Sequence, residues 1–119
     1  MTLVDTSIWV DHLRDGNLRL TALLTNQEVL IHPFIVGELS LGLLQNRVQI
    51  MDLLSKLPQA PAAEHGEVMA AVVKHKLSGM GIGWVDAHLI ASALIAAASL
   101  FTLDRSHQKA AQNSGVRVS

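Results

Sequence analysis

The sequence predicts an α/β domain built on a parallel sheet with helices over both faces. Short apolar runs alternate with helical patterns along the 119 residues, the order expected when helices connect parallel strands. The predicted strands, such as residues 2–4 and 100–103, are almost continuously apolar, as strands buried on both faces are. Because 50% of the residues are hydrophobic, we expect one domain, residues 1–119, with a sizeable core.

The first half of the chain predicts two strands and four helices. Asp5 closes the first strand, and Thr6 or Ser7 is expected to cap the helix that follows. Asp15-Gly16-Asn17 is a turn signal, and Pro33 suits the first turn of a helix. The predicted elements are, in order, a strand at 2–4, a helix at 8–14, a helix beginning at 18, a strand at 28–32, a helix from 33 to about 45 and a helix at 48–57.

The second half continues the alternation and contains the most apolar helix. The pattern over residues 85–98 is apolar on most sides, which predicts a helix buried on most sides. The predicted elements are an extended connector at 58–62 with room for a minimal strand, a helix at 64–78, a glycine-rich loop at 79–83, the buried helix at 85–98, a strand at 100–103, a helix at 106–113 and a strand at 116–118.

Composition excludes several kinds of site. There is no cysteine, which rules out disulfides, zinc–thiolate sites and thiol catalysis. The net charge is −1 and no basic block occurs, so any nucleic-acid binding has to be local or bridged by a metal. The N-terminus does not resemble a signal peptide, and the apolar run 89–103 is shorter than the roughly 20 residues of a membrane span. We expect a cytoplasmic protein.

Four carboxylates lie inside or beside apolar segments, where burial is costly unless something compensates the charge. They are Asp5, Glu38, Asp86 and Asp104, and no Lys or Arg adjoins the first three. Asp5 and Asp104 follow strands, and in parallel sheets the ligand site lies beyond the carboxyl ends of the strands. We therefore expect the four acids to converge at one sheet edge.

A divalent cation would relieve the repulsion among such acids. Mg²⁺ and Mn²⁺ prefer oxygen ligands, and a water activated by such a metal can hydrolyse a phosphodiester. The set therefore predicts a hydrolytic, metal-dependent nuclease. Ser7, two residues after Asp5, is placed to orient that carboxylate or to bind a metal water.

The four acidic segments also resemble, in order, the motifs of a known family. The match is to PIN-domain ribonucleases and is closest to the VapC-type toxins of bacterial type II toxin–antitoxin systems, and it spans the chain from Leu3 to Val118. The segments are Val4-Asp5-Thr6-Ser7-Ile8-Trp9, Gly37-Glu38-Leu39-Ser40-Leu41-Gly42, Gly83-Trp84-Val85-Asp86-Ala87-His88-Leu89-Ile90-Ala91 and Thr102-Leu103-Asp104-Arg105.

The resemblance implies a three-layer α/β/α PIN-like fold with a short central parallel sheet. It also implies a Mg²⁺- or Mn²⁺-dependent endoribonuclease whose substrate is an RNA, with tRNA and rRNA the family precedents. The metal would be held by Asp5, Glu38, Asp86 and Asp104, with Ser7 in support. A homodimer and a cognate VapB-type antitoxin, which occupies the site until it is released, complete the expectation.

Other interpretations remain open. Asp5, Asp86 and Asp104 each have an ordinary role as a helix cap or turn acid, and Glu38 can face solvent. One alternative function is a catalytically silent PIN-like binding module. Another is a Mg²⁺-dependent phosphatase of the haloacid-dehalogenase type, although Ser7 stands where that class needs a second Asp. The six histidines show no zinc-ligand spacing, and we expect none of them to be catalytic.

Overall fold

Three parallel strands form the centre of the molecule in the order β2-β1-β3, and the computed structural model describes residues 1–119. These strands are β1 (Thr2–Val4), β2 (Val29–Leu30) and β3 (Ser99–Phe101). Leu3 of the central strand pairs with Leu30 on one side and with Leu100 on the other. All three side chains are buried, so the apolar strand pattern is explained by burial on both faces.

Single bridges extend the sheet at both edges. Ile31, directly after β2, pairs with Gln59, and Leu100 pairs with Val118. The minimal strand allowed for at 58–62 and the last strand predicted at 116–118 are therefore present, each reduced to one bridge.

Seven helices surround this sheet. Their bounds are α1 Thr6–Asp15, α2 Leu18–Thr25, α3 Pro33–Ser40, α4 Arg47–Ser55, α5 His65–Lys74, α6 Trp84–Ala96 and α7 Arg105–Asn113. Helices α6 and α7 pack on β3, α1 packs on α3, and α5 packs on α6. The predicted α/β/α arrangement with a short parallel sheet is confirmed.

Three sequence predictions about helix ends were wrong. Helix α3 ends at Ser40 rather than near residue 45, and α5 ends at Lys74 rather than at 78. The N-cap of α1 is Asp5, whereas Thr6 and Ser7 are already helical.

The core is aliphatic and continuous from the sheet into the helices. Helix α6 is buried along its middle, as its apolar pattern predicted. The large side chains that are almost fully buried are Leu3, Ile8, Trp9, Leu20, Ile31, Ile35, Leu54, Leu89, Ile90 and Leu100. Every helix is too short or too polar to cross a lipid bilayer.

Candidate active site

Asp5 lies at the carboxyl edge of the sheet, immediately after the central strand. Its backbone N–H donates to the Phe101 carbonyl at 2.9 Å, which places it beside Thr102 at the end of β3. The residue is 7% exposed, and although it occupies the N-cap of α1, its side chain makes no capping hydrogen bond. Helix capping therefore does not explain why this carboxylate is buried.

Two hydroxyl groups orient the Asp5 carboxylate. Thr102 Oγ1 donates to Asp5 Oδ2 at 2.7 Å, and Ser7 Oγ donates to the same oxygen at 3.2 Å. Each hydroxyl oxygen accepts a backbone N–H in turn, from Asp104 at 3.1 Å for Thr102 and from Leu103 at 3.1 Å for Ser7. These N–H donors leave the hydroxyl protons to point at the carboxylate. Ser7 was predicted either to orient the Asp5 carboxylate or to bind a metal water. The structure contains the hydrogen bond that the first of these roles requires.

Asp86 reaches the same place from the first turn of α6. Its Oδ2 accepts the Gly83 N–H at 3.3 Å, which fixes the side chain back over the helix start. Its Oδ1 lies 3.5 Å from Nδ1 of His107, and the same nitrogen lies 3.6 Å from Asp5 Oδ2. His107 is fully buried, on the first turn of α7. The imidazole thus stands between the two carboxylates.

Burial and neighbouring charges shift the pKa values of His107 and Asp5 in opposite directions. Burial disfavours the charged form of His107, but the contact with Asp5 and the charges of Asp86 and Asp5 outweigh it, so its pKa is raised. Burial likewise disfavours ionised Asp5, but the interactions with His107 and Thr102 outweigh it, so the pKa of Asp5 is lowered. Asp5 is therefore a carboxylate at neutral pH despite its burial.

The other two predicted acids lie at the rim. Glu38 Oε1 accepts from Thr6 Oγ1 at 2.8 Å. Asp104 caps α7, because its Oδ1 accepts the N–H groups of Ser106 at 2.9 Å and His107 at 3.2 Å. Neither belongs to the tight group of Asp5, Asp86 and His107, whose ligand atoms lie within 4.8 Å of one another. A metal-binding role for Glu38 and Asp104 stays a prediction.

Two residues of the site were missed by sequence reasoning. The sequence places Thr102 in a predicted strand and in the fourth acidic segment without a role in the site, and no zinc-ligand spacing distinguishes His107 from the other histidines. The signal for His107 was its place on a stripe at i, i+3, i+4 and i+7 of α7, with Ala110, Ala111 and Ser114, all of them buried. A histidine on such a stripe needs a polar partner inside the protein.

The arrangement fits a divalent cation. Asp5 and Asp86 offer carboxylate oxygens, the ligands that Mg²⁺ and Mn²⁺ prefer. His107 Nδ1 is buried and has no hydrogen-bond partner within the protein, so the group retains an unused donor atom. The hydroxyls of Thr102 and Ser7 supply the outer hydrogen bonds that ligating carboxylates usually have.

A groove of about 460 Å³ opens beside the rim of the site. Glu38 lines this groove and also accepts the hydrogen bond from Thr6, the residue after Asp5, so the groove lies next to the acidic site. Its walls are mostly apolar side chains of α1, α3, α4 and the segment between α3 and α4, namely Val10, Leu13, Leu39, Leu43, Leu44 and Ile50, with Arg14 and Gln45 as polar members. An apolar segment of another molecule can therefore approach the acids along this groove.

Sequence relatives cover the whole fold. Residues 2–113 match the model of the PIN domain family. Ribonuclease VapC32 of Mycobacterium tuberculosis strain CDC 1551 / Oshkosh is 43% identical over 119 residues, covering 99% of this chain and 96% of the relative. The protein of the same name from strain ATCC 25618 / H37Rv gives the same values.

Solved structures share the fold at low identity. FitAcB from Neisseria gonorrhoeae superposes with a TM-score of 0.69 at 20% identity, covering 99% of this chain and 96% of that one. PAE2754 from Pyrobaculum aerophilum superposes with a TM-score of 0.70 at 17% identity, covering 98% and 87%. At these identities the likeness is one of fold alone.

Proposed function

The chain belongs to the PIN domain family as a VapC-type ribonuclease toxin, and from this premise we propose that it is a divalent-metal-dependent endoribonuclease. The observation that carries the metal dependence is the pairing of buried Asp5 with half-buried Asp86 at the carboxyl edge of the sheet. His107 is the one basic side chain beside the pair, no Lys or Arg pairs with it, and the three groups converge on one small volume. We propose Mg²⁺ or Mn²⁺ as the cation.

The residues of this chain hold and orient the reacting groups. Asp5 and Asp86 would bind the cation, and Glu38 and Asp104 would complete the acidic set from the rim. A cation bound there supplies a water of lowered pKa and neutralises charge developing on the phosphodiester. Ser7 and Thr102 keep Asp5 in one orientation and ionised, which holds its oxygens in place for the cation.

The partners follow from the family and from the groove. We propose a cognate VapB-type antitoxin that inserts an apolar segment into the groove beside Glu38 and so covers the site. We further propose a homodimer that acts on RNA in the cytoplasm. Sedimentation equilibrium of the purified protein tests the dimer, and the measured mass should be twice the chain mass of 12.8 kDa.

Induced expression in a bacterial host tests the ribonuclease directly. Wild type should arrest growth and create discrete new RNA 5′ ends, whereas Asp5→Asn should do neither, since the neutral amide weakens cation binding without changing shape. Asp52→Asn is the matched control, because Asp52 is exposed on α4 and pairs only with Lys56. Its toxicity should equal that of wild type.

The purified protein then tests the metal. EDTA should stop cleavage, and added Mg²⁺ or Mn²⁺ should restore it for wild type and for Asp52→Asn. Cleavage by Asp5→Asn at the wild-type rate, or cleavage that EDTA does not affect, would contradict the proposal.

A further inference from the structure

The ring of His107 has one satisfied nitrogen and one unsatisfied nitrogen. Nε2 lies 3.2 Å from the backbone carbonyl oxygen of Asp86. Nδ1 is buried and has no hydrogen-bond partner, although two carboxylates lie near it. Buried polar atoms are nearly always paired, so an orphan aimed into a site indicates a missing partner.

The Asp86 carbonyl fixes which ring nitrogen carries the proton. A carbonyl oxygen can only accept, so Nε2 must be the N–H of a neutral His107 ring. In the charged ring, Nδ1 also carries a proton and faces Asp5 and Asp86, and a cation bound between the two carboxylates would displace that proton and take the Nδ1 lone pair. A ring nitrogen that donates to a backbone carbonyl while the other faces a carboxylate-lined site is the usual arrangement of a metal-binding histidine.

The spacing of the three groups is slightly wider than that of ligands on one cation, since all three ligand atoms lie within 4.8 Å of one another. The separations of 3.6 Å to Asp5 Oδ2 and 3.5 Å to Asp86 Oδ1 exceed the usual length of a hydrogen bond to a ring nitrogen. Adjacent ligands on a cation with bonds of about 2.1 Å are roughly 3.0–3.4 Å apart. A small inward adjustment of the side chains therefore allows all three atoms to bind one ion.

We propose that His107 is a direct metal ligand through Nδ1, so that this chain has a mixed nitrogen–oxygen site that selects Mn²⁺ over Mg²⁺. Imidazole nitrogen favours first-row transition ions, whereas Mg²⁺ prefers oxygen ligands alone. The inference rests on the proposed metal dependence and adds to it a ligand that is neither acidic nor part of the four acidic motifs.

Pulsed electron paramagnetic resonance of Mn²⁺ bound to the full chain tests the ligand without measuring activity. Protein labelled with ¹⁵N only in histidine should show an electron–¹⁵N coupling from a directly bound ring nitrogen. His107→Asn should lose that coupling and bind Mn²⁺ at least tenfold more weakly in a titration, with a much smaller change for Mg²⁺. His32→Asn is the control, since His32 is equally buried and its capping of α3 can be taken over by Asn.

The outcomes separate this inference from the proposed function. Mn²⁺ bound to wild type without any ¹⁵N coupling would overturn the ligand assignment and leave the metal dependence intact. A wild type that binds neither Mn²⁺ nor Mg²⁺ would overturn both. If His107→Asn fails to fold, as judged by circular dichroism, His107→Gln takes its place, and an unchanged ¹⁵N coupling in a folded His107 variant would also overturn the assignment.

Discussion

The imidazole of His107 and the hydroxyl of Thr102, rather than a Lys or Arg, keep the Asp5 carboxylate ionised in an apolar setting. The position of Asp5 after an apolar strand was visible in the sequence, as was that of Asp86 near the start of an apolar helix. Their stabilising partners were not, because Thr102 and His107 lie 97 and 102 residues away from Asp5 and meet it only through the sheet. Sequence reasoning therefore found the charges but missed the groups that make their burial possible.

Removing the Thr102 hydroxyl should weaken the site through its effect on Asp5. In Thr102→Val, Asp5 loses its shortest hydrogen bond, and the N–H of Asp104 loses its acceptor. Loss of such an outer hydrogen bond typically lowers metal affinity or activity about 10–100-fold. RNA cleavage should fall by that order, whereas Thr25→Val, which removes an exposed hydroxyl from the end of α2, should cleave normally.

The stability of Thr102→Val relative to wild type should depend on pH. Because the pKa of Asp5 is below its ordinary value of 3.8 in the folded protein, ionised Asp5 stabilises the fold above that pH and the stabilisation is lost as the pH falls through the folded pKa. A hydrogen bond to a charged group contributes about 1.5–3 kcal/mol. Urea unfolding should therefore show Thr102→Val less stable at pH 7, with a smaller difference near pH 3. An equal difference at both pH values would contradict this account.

At the scale of elements, sequence patterns located the strands and helices but not where two helices stop. Beyond the end of helix α3 at Ser40, the carbonyl oxygens of Ser40 and Gly42 accept from the Arg47 guanidinium at the start of α4. Helix α5 ends where Lys76 takes a φ of 54° and the Leu77 N–H reaches back to the Val72 carbonyl. The spacing of apolar residues predicts neither feature, because both involve backbone carbonyl groups and backbone angles rather than apolar side chains.

Asp104 caps helix α7, and this structural role can be separated by mutation from a role in metal binding. Its Oδ1 caps the helix that carries His107, and Asn can make the same hydrogen bonds. Asp104→Ala should destabilise the protein by about 1 kcal/mol in urea unfolding, and Asp104→Asn by clearly less. If the carboxylate also binds the cation, Asp104→Asn should lose cleavage while it stays folded. Full cleavage by this variant would remove Asp104 from the proposed ligands and leave it as a helix cap.

The whole molecule places two different surfaces side by side. The charged groups lie at the carboxyl edge of the sheet, and apolar side chains line the groove between α1, α3 and α4 next to Glu38. Leu43 is fully exposed and lines the groove from the segment between α3 and α4. Val10 is exposed on the same groove, and exposed apolar side chains that lie together, unlike single ones, are typical of a surface that another protein covers. This geometry would let one partner fill the groove and block the acids together.

Leu43→Asp should therefore separate inhibition from catalysis. Burying a leucine contributes roughly 1.5–3 kcal/mol, so an antitoxin identified by its ability to suppress growth arrest should bind this variant at least about tenfold more weakly in calorimetric titration. RNA cleavage by the free variant should match wild type, since Leu43 is exposed and contributes no group to the acidic site. Val73→Asp, at an exposed position on α5 outside the groove, should bind the antitoxin normally. In cells, Leu43→Asp should stay toxic when the antitoxin is co-expressed, and full rescue of growth by the antitoxin would show that the groove is not where it binds.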